Sequence, residues 1–363
     1  MKQKDSPVGL RYHEPHDPEP ISISHMKNRI VTCDRLLCLL DGFEGKRLTV
    51  IGDLIADEFV YGQVARVSRE APVLVLQYRD TIRLPGGAAN AANNLLALGS
   101  RVTVVGAVGR DEAGRDLVAM LAAKGADTSL VVEAASYSTP VKTRILAGAH
   151  HSAAPQQVVR IDRVEAARLE YFAPWKSPAK LLAQCDGVIM SDYGYGVATP
   201  ERAREVASHA RRRSVPILVD SRFRMTQFHG VTSITPNITE LEASTGKVIG
   251  RDPERLARVA RAVLRRQGLR FLLVTLGRFG MTLFHHRRRP FHIPIYGTDE
   301  VADVTGAGDT VIAVFALALS CGAAPEEAAV LANYAGGIVV MKRGTATVSK
   351  QELEHAVKSD SPD

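Results

Sequence analysis

Asp303-Val304-Thr305-Gly306-Ala307-Gly308-Asp309-Thr310 is the stretch on which the reading of this 363-residue chain turns. An acid, Asp309, stands directly after Gly306-Ala307-Gly308 and just ahead of an apolar run from Val311 to Leu319. The two glycines let the backbone turn sharply, and the apolar run predicts a buried helix starting near Asp309. The first turn of such a helix leaves the amides of Gly306, Ala307 and Gly308 without internal partners. With the positive end of the helix dipole they make a site for an anion such as a migrating phosphoryl group. A carboxylate at the same place accepts the proton of an attacking hydroxyl. An Asp at a helix start also serves as a plain cap. Asp303 and Thr305 ahead of the glycines, and concordant signals upstream, favour phosphoryl transfer to an alcohol with Asp309 as base.

Hydrophobic residues make up 45% of the chain and charged residues 23%, ordinary values for a folded protein of one large domain or two medium ones. No apolar run reaches the ~20 residues needed to cross a membrane. Met1 to Pro20 is polar, charged and proline-rich, without the apolar stretch of a signal peptide, so the expected location is the cytoplasm. Cys33, Cys38, Cys185 and Cys321 are scattered with no C-x-x-C pair, which points to reduced thiols and away from a zinc site. The net charge of +7 is concentrated in Arg211–Arg213, in Arg258/Arg261/Arg265/Arg266 and in Arg287–Arg289. No aromatic interleaving or nucleic-acid-binding motif accompanies these clusters, so steering of anionic small molecules is the favoured use, not nucleic-acid binding.

Residues 1–45 differ in composition from the rest and read as an extension, with 1–20 disordered and a short amphipathic helix over 27–42. The folded domain is expected from 46 to 357, followed by a tail of 358–363. Within it, strand-like runs at Leu48–Ile51, Arg101–Val105, Gly187–Ser191, Ile217–Asp220, Ser233–Thr235 and Phe271–Thr275 alternate with helical patterns such as Asp111–Lys124, Pro200–Arg213 and Pro253–Gln267. That alternation predicts an α/β fold, a mostly parallel sheet flanked by helices on both faces. Phe59–Arg83 and Val141–Asp162 break it with β-like pieces and no helix, predicting a small projecting sheet that acts as a lid or an oligomer surface.

Other constellations offer ligand contacts. Gly86 and Gly87 permit close approach of backbone to a ligand and Asn90 can hydrogen-bond sugar hydroxyls, or the three serve a tightly packed helix start. Asp57 follows the first strand, outside whose carboxyl end ligands bind in open α/β sheets; Asp53 either does the same or caps the next turn. Asn237 and Glu240, three apart at a strand-to-helix turn, could both meet one hydrated Mg²⁺ or form a capping box. Thr275, Gly277 and Gly280 could accommodate a phosphate tail or form a plain turn, and Asn333 could approach an adenine or sit on a polar helix face. Arg66, Arg69, Lys142 and Arg144 on the β-like pieces are candidates for a substrate phosphate, against ordinary solvated strand charge.

The ordered set G-G-A-x-N at Gly86–Asn90, N-x-x-E at Asn237–Glu240 and D-x-T-G-A-G-D at Asp303–Asp309 resembles the ribokinase-like (PfkB) carbohydrate kinases over roughly residues 46–357. The resemblance implies a ribokinase-like core with a β-sheet lid, ATP and Mg²⁺, Asp309 as base, Gly306–Gly308 as anion hole and a homodimer built through the lid. Arg66–Val73, Val141–Arg144, Gln156–Asp162 and Ser191-Asp192-Tyr193-Gly194 look like the stand-alone heptose 7-phosphate kinases of ADP-heptose and lipopolysaccharide precursor synthesis. That implies a sugar-phosphate substrate, D-glycero-D-manno-heptose 7-phosphate at O1, with Asp192 among the substrate contacts. The chain departs from that subgroup at Arg69, where Pro is usual, at Tyr195, where Lys is usual, and at Ser221-Arg222, where Pro-Lys is common. A kinase of another sugar or a nucleoside, and a catalytically silent ligand- or nucleic-acid-binding regulator, are the alternatives; intact Asp309, Gly306 and Gly308 argue against silence.

Overall fold

The computed structural model describes residues 31–148, 155–164, 178–297 and 302–360. The expected disorder of 1–20 and the start of the helix expected over 27–42 lie outside the described residues.

Six parallel strands form the main sheet: β1 (Arg47–Gly52), β4 (Arg101–Gly109), β5 (Asp127–Ala134), β8 (Gly187–Asp192), β9 (Ile217–Ser221) and β10 (Ser233–Ile234), in the order β10-β9-β8-β1-β4-β5. Strand β11 (Phe271–Thr275) continues this layer, with Thr275 donating to Pro236 O at 3.0 Å and pairing in parallel with Asn237. Antiparallel strands β12 (Met281–His285) and β13 (Phe291–Ile293) follow it, with Arg287–Arg289 in the hairpin tip between them. The lid is a second sheet, ordered β3-β2-β6-β7, of β2 (Leu54–Val67), β3 (Leu74–Gly87), β6 (Val141–Gly148) and β7 (Gln156–Arg163). Its long hairpin is rooted in the core. The first six residues of β2 are buried and its last four exposed, so the apolar roots anchor what the polar tips cannot.

The helices are α1 (Cys33–Asp41), α2 (Ala88–Ala97), α3 (Glu112–Ala123), α4 (Pro178–Ala183), α5 (Pro200–Ala210), α6 (Ile238–Thr245), α7 (Pro253–Gln267), α8 (Ala307–Ser320), α9 (Pro325–Val340) and α10 (Lys350–Asp360). The apolar run after Asp309 is the central helix: every residue of α8 from Asp309 to Ala318 is buried. A helix hydrophobic all round belongs in the interior, and α2 and α9 cover it there.

Two boundaries differ from the sequence reading. The folded unit begins at Val31, ahead of the expected residue 46, because Leu36, Leu39 and Leu40 of α1 and the adjacent Phe43 enter the same core as α8 and α9. At the other end α10 runs to Asp360, with the Tyr334 hydroxyl donating to the Asp360 carboxylate at 2.7 Å, so the fold continues past 357. Leu40 is fully buried. Leu40→Ala is therefore expected to lower stability by about 2–5 kcal/mol, the range for truncating a buried leucine. Urea unfolding of the two proteins would measure it, and a change below ~0.5 kcal/mol would mean that α1 is a dispensable appendage.

Candidate active site

The carboxyl ends of β1, β8, β9 and β10 and the amino end of α8 meet at one edge of the main sheet, where a cleft of about 210 Å³ is lined by Asp192, Tyr193, Asp220, Arg222, Asn237, Glu240, Gly308 and Asp309 among others. Gly306 is the N-cap of α8 and adopts φ +77°, and a Cβ there would stand 2.4 Å from Asn90 Nδ2. Glycine is thus required both for the left-handed turn and for Asn90 to reach the helix start. Of the three amides expected to form an anion hole, that of Ala307 is taken by Val304 O at 3.3 Å. Thr310 donates to Gly306 O, which leaves Gly308 and Asp309 as the first-turn donors at the open end.

Asp309 is buried, and its two oxygens are held from opposite sides. Asn90 Nδ2 donates to Oδ2 at 3.1 Å and the Tyr193 hydroxyl donates to Oδ1 at 3.0 Å. Burial pushes its pKa up to about 7, with the nearby Asp57 carboxylate adding to the rise, while the two donors and the Lys142 ammonium act in the opposite sense. A carboxylate in that range changes protonation state near neutral pH, as a proton acceptor must. Tyr193 is the residue that sequence reasoning missed. Its neighbour Asp192 was singled out, and the Asp-Tyr-Gly run was the only available signal.

Asp53 takes no part as an open ligand contact. Its carboxylate is fully buried and accepts the amides of Tyr193 and Tyr195 on Oδ2 and of Val197 on Oδ1, all within 3.0 Å. Burial raises its pKa to about 6 against those donors. Asp53 therefore fixes the loop that carries Tyr193. Asn90, expected to meet sugar hydroxyls, is likewise occupied: besides Asp309, its Nδ2 reaches Gly306 O at 3.3 Å and its Oδ1 accepts from Asn94 Nδ2 at 3.2 Å. Asp192 borders the cleft, but its carboxylate is saturated by Arg224, by the Ser221 hydroxyl at 2.7 Å and by the Gly194 amide at 3.0 Å.

The cationic candidates divide into two groups. Lys142 and Arg144 are buried on the inner face of β6. Arg144 pairs with Asp57 Oδ1 at 2.6 Å, and the Lys142 ammonium lies 4.4 Å from the centre of the Tyr193 ring. Burial lowers the Lys142 pKa, Asp57 and Asp309 acting against that. Gly86 makes room for Asp57: a Cβ there would stand 2.4 Å from Asp57 Oδ2. Gly87 precedes α2 as its N-cap. Arg66 and Arg69, by contrast, are exposed at the far end of the β2–β3 hairpin. They do not share a pocket with Lys142 and Arg144, because β2 carries them away from its buried root.

Asn237 and Glu240 do form the capping box, Asn237 Oδ1 accepting from the Glu240 amide at 2.8 Å and Glu240 Oε2 from the Asn237 amide at 2.9 Å. Glu240 nevertheless faces Asp220, which the sequence reading did not select. Burial raises the pKa of both carboxyls, and proximity to Glu240 raises that of Asp220 further. Thr275 lines the same cleft, while Gly277 and Gly280 bracket a short turn between β11 and β12. Asn333 is buried, with Nδ2 donating to Pro294 O at 2.8 Å, and does not line the cleft.

The chain matches the model of the pfkB family carbohydrate kinases over residues 46–352. The bifunctional protein HldE of Geobacter sulfurreducens is 42% identical over 309 residues, which make up 84% of this chain and 61% of that protein. Its counterpart from Mesorhizobium japonicum is 38% identical over 349 residues, 95% of this chain and 66% of the relative. The chain thus spans less than two thirds of the length of these relatives. Among solved structures, Arabidopsis thaliana ribokinase complexed with ribose and ATP superposes with a TM-score of 0.67 at 20% identity, covering 87% of this chain and 99% of that one. Phosphofructokinase-2 from Escherichia coli in complex with substrates and products gives 0.69 at 18% identity, covering 86% and 99%.

The raised pKa of Asp309 has consequences of definite sign. A base must be the carboxylate, so a role for Asp309 as base predicts that kcat/KM falls as pH drops through about 7. Asp309→Asn is expected to lower turnover by at least ~10². Tyr193→Phe removes a donor that lowers the pKa, so its inflection moves to higher pH and its deficit shrinks in alkali. Between the unfolded value near 4 and about 7 the native state binds the extra proton, so stability declines as pH rises across that window. Asp309→Asn is therefore expected to raise Tm at pH 8 and not at pH 4. A pH–rate profile and thermal unfolding at the two pH values check both, and an unshifted profile in Tyr193→Phe would remove the phenol from this role.

Proposed function

The chain belongs to the pfkB family of carbohydrate kinases and uses ATP to phosphorylate a sugar, and from that premise we propose that its acceptor already carries a phosphate, namely D-glycero-D-manno-heptose 7-phosphate, phosphorylated at O1. The observation that carries this reading is the buried ammonium of Lys142 on the inner face of the lid, close to Asp309 and Asp57 and seated over the Tyr193 ring. The Asp57 and Asp309 carboxylates offset only part of the cost of burying that ammonium, whose pKa stays lowered, and an anionic acceptor supplies further counter-charge. Arg222, just past the end of β9, lines the cleft itself, while Arg160 on β7 is held by the Asp162 carboxylate at 2.8 Å. Arg222 and Tyr195 stand where lysines are usual in the heptose kinases; the first keeps the charge, and the second keeps a hydrogen-bonding hydroxyl. The roughly 40% identity to the bifunctional HldE proteins over this part of their length supports the same substrate class.

In this mechanism Asp309, held by Asn90 and Tyr193, takes the proton of the acceptor hydroxyl. The amides of Gly308 and Asp309 and the dipole of α8 receive the charge on the transferred phosphoryl group. The donors are already in place, so little reorganisation accompanies the charge movement. The turn from Thr275 to Gly280 takes the phosphate tail of ATP. The facing carboxyls of Asp220 and Glu240 fit a divalent cation, since each is pushed up by burial and a cation between them would relieve that. Mg²⁺ would be held there through water and would neutralise the nucleotide phosphates. The capping box leaves Glu240 Oε1 available for such a water while Oε2 is bound by Asn237.

A second copy of the chain covers the lid in this reading. Val64, Leu74, Tyr78, Ile82, Val159 and Ile161 are exposed on the lid sheet, whose outer strands β3 and β7 are open edges. Sedimentation at micromolar concentration is expected to give a homodimer, and an ideal monomer would overturn this assignment.

The acceptor is tested with a panel of heptose 7-phosphate, heptose, fructose 6-phosphate and ribose under ATP and Mg²⁺. The phosphorylated heptose is expected to exceed free heptose in kcat/KM by ~10-fold or more, the worth of one hydrogen bond to a charged group. Equal use of heptose and its 7-phosphate would favour a simple-sugar kinase.

A further inference from the structure

Strand alternation puts Glu58 on the face of β2 opposite to Asp57. There it stands between its two register partners, Arg83 on β3 and Thr143 on β6. Glu58 Oε2 accepts from Arg83 Nη2 at 2.9 Å, and Oε1 accepts from the Thr143 hydroxyl at 2.8 Å and from Arg163 of β7 at 3.3 Å. Burial works to raise the Glu58 pKa, but these donors outweigh it and hold the carboxyl below its usual range. One ionised carboxylate thus ties all four lid strands together at their root.

The attachment of the lid to α3 is of another kind. Its apolar part is a small cluster of Ala56, Val141 and Ala113 of α3, separate from the two large cores. Two alanines and a valine bury little area, so the cluster is a pivot and not a clamp. Beside it a groove of about 650 Å³ is lined by Asp111, Glu112 and Ala113 at the start of α3 and by Val141, Asp162 and Arg163 of the lid. The lid therefore has space to rock against α3. Arg83 bridges the two sides: while bound to Glu58 it donates through Nη1 to Asp116 Oδ2 and lies 3.8 Å from the Glu112 carboxylate. A planar guanidinium fixes direction as well as distance, which small apolar side chains do not.

What that angle decides lies on the opposite face of the lid, where Asp57 and Lys142 come close enough to Asp309 to act on its charge. The groups proposed to meet ATP, the turn from Thr275 to Gly280 and the start of α8, do not ride on the lid. We propose that Arg83 and its α3 partners Asp116 and Glu112 are positioning residues for the kinase reaction: they fix the angle of the lid against the core, and with it the placement of Asp57 and Lys142 beside the acceptor. Removing the link therefore weakens the hold on the acceptor and leaves that on ATP intact.

None of this depends on which sugar is the acceptor, so the test takes whichever member of the panel above the wild type uses with the highest kcat/KM. Glu112→Ala/Asp116→Ala removes the α3 side of the link from positions that are 76% and 45% exposed, and leaves Arg83 with Glu58. KM for the acceptor is expected to rise by about five- to tenfold, with KM for ATP within about twofold of wild type. Asp116→Glu keeps the charge and is expected to stay within about twofold for both. Hydrogen–deuterium exchange of the unliganded chain gives a readout that needs no turnover. The amides of Thr139 and Gly109 donate to Asp111 Oδ2 and to the Thr139 hydroxyl at the joint of lid and core. Both should exchange at least ~threefold faster in the double variant, while residues 117–123 of α3 are unchanged. An unmoved acceptor KM, equal rises for acceptor and ATP, an Asp116→Glu variant as impaired as the double one, or unchanged exchange at Gly109 and Thr139 would each overturn the proposal.

Discussion

A carboxylate placed at the start of a helix that is apolar on every side has no water to turn to, and the site of this protein is built around that constraint. α8 is buried from Asp309 to Ala318, so Asp309 must draw its hydrogen bonds from protein. It draws one from α2, through Asn90, and one from the loop after β8, through Tyr193. Each donor is itself fixed by a further buried group. Asn94 holds the carbonyl of the Asn90 side chain, and Asp53 gathers three amides of the Tyr193 loop. The result is a chain of supports from β1 through β8 to α8 in which every polar group has one permitted orientation. Such a network sets geometry more than it adds stability, because the burial that orients Asp309 and Asp53 also raises both pKa values.

The lid depends on the same constraint. β2 begins one residue after Asp53 and carries Asp57 on the strand face that Arg144 and Lys142 of β6 also occupy. Glu58, one residue further, points to the other face, where Arg83 and the Thr143 hydroxyl meet it. Strand alternation thus separates the face of Asp57, Lys142 and Arg144 from the face of Glu58 and Thr143 within two residues. The close pairing of Asp57 with Arg144 leaves Lys142 as the lid cation nearest the base, so charge on the inner face is not interchangeable among the basic residues of the lid.

How much of this was legible in the sequence depends on the range of the interaction. Local patterns held: the strands of the main sheet other than β5 were visible as apolar runs, and α8 as nine apolar residues behind two glycines. The use of a polar side chain was legible only when its partner was close in sequence. Asn237 and Glu240 are three apart, and both of their readings could be stated in advance. Asn90 and Asp309 are 219 residues apart, and nothing local to either shows that the amide serves the carboxylate and not a sugar. Asp192 looked like an open acid because Arg224 and Ser221, which saturate it, arrive from a different strand. Arg66 and Arg69 were grouped with Lys142 and Arg144 because all four are basic and lie on β-like pieces. Only the length of β2 shows that the first two belong at the tip. The leucines of α1 looked like an appended helix because their partners, α9 and α10, lie at the other end of the chain.

Glu240 shows that a structural and a functional reading of one motif need not compete. The capping box binds a single carboxylate oxygen, and in doing so it removes the rotamer freedom that a glutamate at a helix start would otherwise have. The other oxygen is not used by the box, and Glu240 lines the same cleft as Asp220, where burial disfavours charge on both groups. Uncompensated, that arrangement destabilises the fold near neutral pH, since both carboxyls must ionise in a poor solvent for charge. Helix capping alone does not require a second buried acid opposite the cap, and Asp220 has no part in the box. In the proposed reading the pair is a site whose charge a cation completes, and the cap is the device that keeps one of its two arms in position.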